Sequence, residues 1–149
     1  MQLRRFLLLC CLFLNLSSNA YERAASEQAM SENLVSFMKF NDTLQSESDI
    51  NRLSALATDD FQYYQPSFNI HLSKEQWLMA LKERLAVNQT RNVKTDIVQT
   101  EFALNVAFVR QSSRWEQQIN GKWYARSSDN LTTLFEFSNG KISAVREYW

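Results

Sequence analysis

The chain has 149 residues with 16 basic and 16 acidic side chains, a formal net charge of zero. That length is one domain's worth of chain with room for a real core, and balanced charge without any basic block excludes a nucleic-acid surface. With 13% aromatic residues, two glycines and one proline, a linker or disordered tail is excluded as well.

Met1 to Ala20 read as a secretory signal, which leaves residues 21–149 as the mature domain. Arg4 and Arg5 form a basic start, Phe6 to Leu14 an apolar run, and Ser18-Asn19-Ala20 a small-residue cleavage site. The run falls short of the roughly 18 to 20 residues that span a bilayer. The mature chain is therefore expected to be secreted or periplasmic, with no membrane association after cleavage. Cys10 and Cys11 both lie in the signal, so neither a disulfide nor a thiolate belongs to the mature protein. Loss of the two signal arginines brings its formal charge to −2. Asn41, Asn88 and Asn130 each open a glycosylation sequon, a pattern short enough to recur by chance.

From Glu22 to about Phe40 there is no glycine or proline, and Met30, Leu34, Phe37 and Met38 recur at helical spacing. Polar Asn41-Asp42-Thr43 breaks this first helix. Ser46 to Asp49 offers a cap and early acid for a short second helix carrying Ile50, Leu53 and Leu56, which Asp59-Asp60 is expected to end. Phe61, Tyr63 and Gln65 then alternate with Gln62 and Tyr64 in a short strand closed by Pro66, which cannot donate to a sheet ladder. Ser73 to Gln76 is a capping box for a third helix to about Val87, with Trp77, Leu78, Leu81 and Leu85 as its apolar stripe.

Val93 to Gln99 opens the main sheet, and three long strands follow in a meander: Phe102 to Ile119, Lys122 to Phe137 and Lys141 to Trp149. The only two glycines stand in Asn120-Gly121 and Asn139-Gly140, where a β-hairpin needs positive φ. At the second of these a two-residue loop would set Thr133 opposite Arg146. A three-residue loop with Gly140 in a bulge would set it opposite Val145. The second register is preferred because it makes one face mostly apolar, with Leu131, Thr133, Phe135 and Phe137 beside Ser143, Val145, Glu147 and Trp149. The element order points to an α+β fold, with helices on one face of a curved, mostly antiparallel sheet.

In this order the chain resembles the nuclear transport factor 2-like superfamily and, within it, the SnoaL-like group related to polyketide cyclases and ketosteroid isomerases. The resemblance rests on Phe37-Met-Lys-Phe-Asn41, on the segment from Leu53 to Pro66, and on the C-terminal run from Leu134 to Trp149. It implies a cone in which a strongly bent sheet wraps three helices around an apolar cavity. It does not imply one reaction, since members include isomerases, cyclases, dehydratases and proteins that only bind or dimerise. The proton-shuttling carboxylate of ketosteroid isomerase-like members precedes the proline that ends the first strand, and here that residue is Gln65. Their second acid falls near Thr133, and their first-helix tyrosine is replaced by Ser36 or Phe37. The isomerase mechanism is thus not implied.

Within such a cone Phe61, Tyr63, Trp77, Phe108, Phe135, Val145 and Trp149 are the expected ligand-lining residues, with Gln65 and Thr133 orienting a bound molecule. Two candidates for acid–base chemistry remain. His71, the only histidine, would lie on a loop near the cavity mouth as a base or as a solvated residue. Glu147 would act as a buried acid or pair with Arg110 or Arg126. No metal site and no cofactor are expected. Some of Trp115, Trp123, Tyr124 and Tyr148 are expected to face outward from the sheet, which suggests an aromatic outer face and a homodimer. The leading expectation is a binder of a small, largely apolar ligand, ahead of an isomerase, cyclase or dehydratase using Glu147 or His71, and of a dimeric interaction module.

Overall fold

The computed structural model describes residues 26–87 and 89–149, so the expected signal at Met1 to Ala20 and the sequon asparagine Asn88 lie outside the described residues. Helix α1 is described over 26–42 and buries Met30, Leu34, Phe37 and Met38, the stripe set by its apolar spacing. The Asn33 amide donates to the Gly140 carbonyl, which ties this helix to the last hairpin turn. Helix α2 (Glu47–Leu56) is capped by Ser46, whose hydroxyl accepts from the Asp49 N–H at 3.3 Å and donates to the Asp49 carboxylate at 2.8 Å. Helix α3 (Lys74–Val87) has the reciprocal capping box expected of Ser73 and Gln76, with bonds of 3.4 and 2.9 Å. Among the described residues no helix is long and apolar enough to cross a membrane.

The strands are β1 (Ala57–Gln65), β2 (Ile70–Ser73), β3 (Thr90–Ala103), β4 (Val106–Ile119), β5 (Lys122–Ser138) and β6 (Lys141–Tyr148), with a 3₁₀ turn at Pro66–Phe68. They form one sheet in the order β2-β1-β6-β5-β4-β3. Every ladder is antiparallel except β1 with β6, which is parallel. The helices fill its concave side. Trp77 links the layers, stacked on Phe37 at 5.7 Å and tilted against Phe61 at 4.7 Å. The α+β class with helices on one face of a curved sheet is what the residue pattern indicated, and the curved, mostly antiparallel sheet is what the resemblance implied.

Three local expectations are corrected. Asp59 and Asp60 do not end α2; they stand exposed within β1, where a register shift between Ala57 and Gln62 lets both face out while Ala57 and Phe61 stay buried. His71 is not on a loop but in β2, paired with Tyr64. The segment Phe102 to Ile119 is not one strand. A turn at Leu104-Asn105 divides it, with Leu104 at φ 55 although no glycine marks the site.

The last hairpin follows neither anticipated register. Its loop has two residues, Asn139 and Gly140, both at positive φ, and Ser138 pairs with Lys141. A register shift between Glu136 and Phe137 then moves the ladder one step, so that Phe135 faces Val145 and Thr133 faces Glu147. That step restores the parity a plain two-residue loop would have lost. Thr133, Phe135, Val145 and Glu147 consequently share the concave face.

Leu104 holds a left-handed backbone while 84% exposed, so its side chain contributes little burial against that conformational cost. Leu104→Gly is expected to gain about 0.5–1 kcal/mol of stability in urea denaturation. A lower midpoint would show that the side chain contributes more than its exposure indicates.

Candidate functional site

A cavity of about 390 Å³ opens between the concave sheet face and helices α1 and α3. Alternation along each strand decides which side chains reach it. From β1 come Tyr63 and Gln65, from β6 Val145 and Glu147 with Trp149 just beyond the strand, and from β5 Leu131, Thr133 and Phe135. β4 adds Gln111, Ser113 and Trp115, and β3 adds Val93 and Thr95. The helices contribute Phe37, Asn41 and Asp42 from one side and Trp77, Ala80 and Arg84 from the other.

Two polar groups stand out against these apolar walls. At the first, Tyr63 Oη and Gln65 Nε2 each donate to Glu147 Oε2 at 2.8 Å. The parallel ladder makes this possible, because pairing Tyr63 with Val145 carries Gln65 and Glu147 forward together on one face. Burial, and then the neighbouring Glu147 charge, push the Tyr63 phenol well above its ordinary value of 10.0. Thr133, directly across the ladder from Glu147, is 1% exposed, and its hydroxyl has no protein partner.

At the second polar group, Thr95 Oγ1 donates to Asp42 at 3.0 Å and lies 3.1 Å from Ser113 Oγ. Arg84 donates to the Asn41 carbonyl at 3.1 Å and to its amide oxygen at 3.4 Å. Burial lowers the Arg84 pKa, opposed chiefly by the Asp42 carboxylate. Burial raises the Asp42 pKa, opposed by the Thr95 hydrogen bond and by Arg84. Among the described residues no cluster of three or more His, Cys, Asp or Glu could hold a metal.

Tyr63, Gln65, Trp77, Thr133, Phe135, Val145, Glu147 and Trp149 therefore converge on one cavity. Three other anticipated residues do not. His71 lies outside it, its ring stacked on Tyr64 at 4.4 Å and its Nε2 2.7 Å from Gln62 Oε1. Tyr64 in turn carries the Arg146 guanidinium 4.0 Å from its ring centre, and Arg146 pairs with Glu136 at 2.7 Å. β2 pairing thus commits the imidazole to the face opposite Tyr63. Phe108 is 48% exposed in a shallow groove with Gln99, Glu101 and Arg110, because its parity is opposite to that of Val109. Phe61 is fully buried core beneath the cavity and does not line it.

The anticipated pairing of Glu147 with Arg110 or Arg126 is also absent; its bonds go to Tyr63 and Gln65. Trp115 lines the cavity and is not an outer-face residue, while Trp123 lies under the Arg91 guanidinium at 4.1 Å. Reading the strands alone missed Asn41, Asp42 and Arg84. Arg84 follows Trp77 and Leu81 at helical spacing, and that was the available signal.

The raised Tyr63 pKa has a definite sign in stability. Its contribution is complete below pH 10, the ordinary tyrosine value, and is lost as pH rises beyond it, because the unfolded chain then ionises first. Above pH 10 the wild-type protein is expected to lose stability more steeply than Tyr63→Phe in denaturant titrations. Equal slopes would show that this phenol ionises as freely in the folded state as in the unfolded chain.

No protein-family model matches the sequence, and no curated protein matches it. Solved structures do match in three dimensions. A protein assigned as a SnoaL-like polyketide cyclase from Shewanella denitrificans OS-217 superposes with a TM-score of 0.65 at 9% identity, covering 80% of this chain and 88% of that one. An LEH-like epoxide hydrolase from M. tuberculosis gives 0.60 at 13%, covering 81% and 82%. A protein with a ketosteroid isomerase-like fold from Catenulispora acidiphila DSM 44928, in complex with trimethylamine, gives 0.57 at 15%, covering 76% and 84%. Identities this low carry the architecture and not the activity. The chain therefore has the nuclear transport factor 2-like fold, the curved sheet and helices shared with SnoaL-like and ketosteroid isomerase-like proteins.

Proposed function

We propose that the protein binds a small, largely apolar molecule in this cavity, with the Glu147 carboxylate as its polar anchor. The observation that carries this reading is the pair of buried polar atoms facing the cavity without protein partners, Thr133 Oγ1 and Gln111 Oε1. Buried polar atoms in folded proteins are almost always hydrogen-bonded, and leaving one unmade costs about 1–3 kcal/mol. A bound molecule that supplied these bonds would remove that cost. A volume of about 390 Å³ suits a guest of this kind, and a protein of the same fold solved with trimethylamine lends support.

Camphor, a neutral bicyclic ketone, is a suitable probe, and Trp77, Trp115 and Trp149 in the wall supply the fluorescence signal. Saturable change of tryptophan emission is expected in the wild-type protein and not in Ala80→Trp, which adds bulk at an exposed helix position on the cavity rim. Identical titrations of the two proteins would count against the cavity as the binding place.

A second reading is favoured by the convergence of Tyr63 and Gln65 on Glu147. A carboxylate so held in an apolar cavity could take a proton from the carbon next to a ketone carbonyl. The carbon–hydrogen bond breaks to form an enolate, the Thr133 hydroxyl donates to its oxygen, and the proton returns from Glu147 to the same or another carbon. Gln65, at the position where isomerase-like relatives carry the carboxylate, would position the acid supplied by β6. Under this reading the protein accelerates deuterium uptake by cyclohexanone in D₂O, followed by NMR, and Glu147→Gln lowers that rate on the order of 100-fold. Wild-type exchange no faster than buffer would exclude it for this ketone class.

A further inference from the structure

We propose that the cavity selects a small organic cation, an ammonium carrying N–H donors on an apolar body, which Glu147 receives among aromatic rings. This deepens the ligand-binding reading and rests on it. The first argument is charge. Of the side chains lining the cavity, Asp42 and Glu147 are acids and Arg84 is the base. Arg84 is answered close by: it is bonded to Asn41, and Asp42 is the strongest of the charges acting on it. Glu147 takes part in no ion pair among the described residues. Its Oε2 accepts from two neutral donors, the Tyr63 hydroxyl and the Gln65 amide. Neutral donors steady a carboxylate without cancelling its charge, and Arg84, the one cation lining the cavity, acts on Glu147 without forming an ion pair with it, so a directly paired cation is the complement left to a guest.

The second argument is the chemistry of the unpartnered atoms. Gln111 Oε1 only accepts hydrogen bonds, and Thr133 Oγ1 can accept as well as donate. With Glu147, the cavity therefore presents acceptors to its guest, and acceptors ask for N–H or O–H groups. Thr133 is the ladder partner of Glu147, and Gln111 is the ladder partner of Leu131, two residues along the same strand face, so these acceptors form one patch. The third argument is the wall. Tyr63, Trp115 and Trp149 line the cavity beside Trp77, whose ring is stacked on Phe37, and the ring faces of an aromatic wall favour cations over anions. A carboxylate guest would meet two acids and these ring faces, with a single arginine already engaged. A neutral alcohol would supply a donor but leave the Glu147 charge unanswered.

Three molecules built on one ring separate these cases: cyclohexylamine, which is protonated at pH 7, cyclohexanol, and cyclohexanecarboxylate. Each is titrated at low salt into the full chain while tryptophan emission is followed. The expected order is amine tightest, by about tenfold over the alcohol, with the carboxylate weakest. Glu147→Gln is expected to erase the preference for the amine, read as the ratio of amine to alcohol affinity within the variant. Alcohol and amine binding equally, or the carboxylate binding tightest, would overturn the cation proposal while leaving ligand binding intact. No response to any of the three would remove ligand binding for this ring class and the proposal with it. The wild-type ranking decides even if the variant does not fold.

Discussion

The parallel pairing of β1 with β6 is the constraint on which the structure rests. The other ladders join strands that follow one another closely in the chain, through β1–β2, β3–β4, β4–β5 and β5–β6. The β1–β6 ladder joins Tyr63 to Val145 across most of the domain. Closing so long a loop costs chain entropy before any contact compensates for it. The compensation is burial: Ala57, Phe61, Ile142 and Val145 along the junction are essentially inaccessible, and Trp77 packs against Phe61 over it. Without that pairing the C-terminal meander would be a sheet of four strands, and the concave face would lose the wall that β1 and β2 supply.

The same junction places charge where apolar walls would otherwise be continuous. Tyr63 and Gln65 come from the first strand and Glu147 from the last, and their hydrogen bonds exist only because the two strands run side by side. Holding a carboxylate in such surroundings is unfavourable for stability on its own, and Thr133 and Gln111 add buried polar atoms that the fold does not satisfy. A core optimised for stability alone would fill these positions with aliphatic side chains. All of them line one cavity. The Asp42–Thr95–Ser113 chain at the other polar group differs, since each member there has a protein partner.

How much of this was legible in the residues depends on the range of the interaction that decides it. Helix positions followed from local spacing and caps: Met30, Leu34 and Phe37 face inward, and Ser73 with Gln76 opens α3. The Asn-Gly turns were legible because positive φ selects those residues, whereas the turn at Leu104 carried no such mark and passed as continuous strand. Alternation on β1 and on the last hairpin correctly grouped Tyr63, Gln65, Thr133, Phe135, Val145 and Glu147 on one face. The pairing details behind that grouping were different, because the ladder gains its extra step inside the strand and not at the turn. For His71 and Phe108 no local pattern is decisive: β2 has only four residues and no clear alternation, and a strand as long as β4 turns one set of residues outward whatever their chemistry.

The sequence by itself determined the order of elements, the amphipathic faces of the helices, the two Asn-Gly reversals and the inward parity of the last strands, because each is an interaction between residues a few positions apart. Only the tertiary structure decided that Glu147 is held by Tyr63 and Gln65 and not by an arginine, that Arg84 and Asp42 enter the cavity, and that His71 lies on the opposite face. Those outcomes depend on which strand edge meets which. The meeting of β1 with β6 is settled by the burial of a whole core and not by any short run of residues.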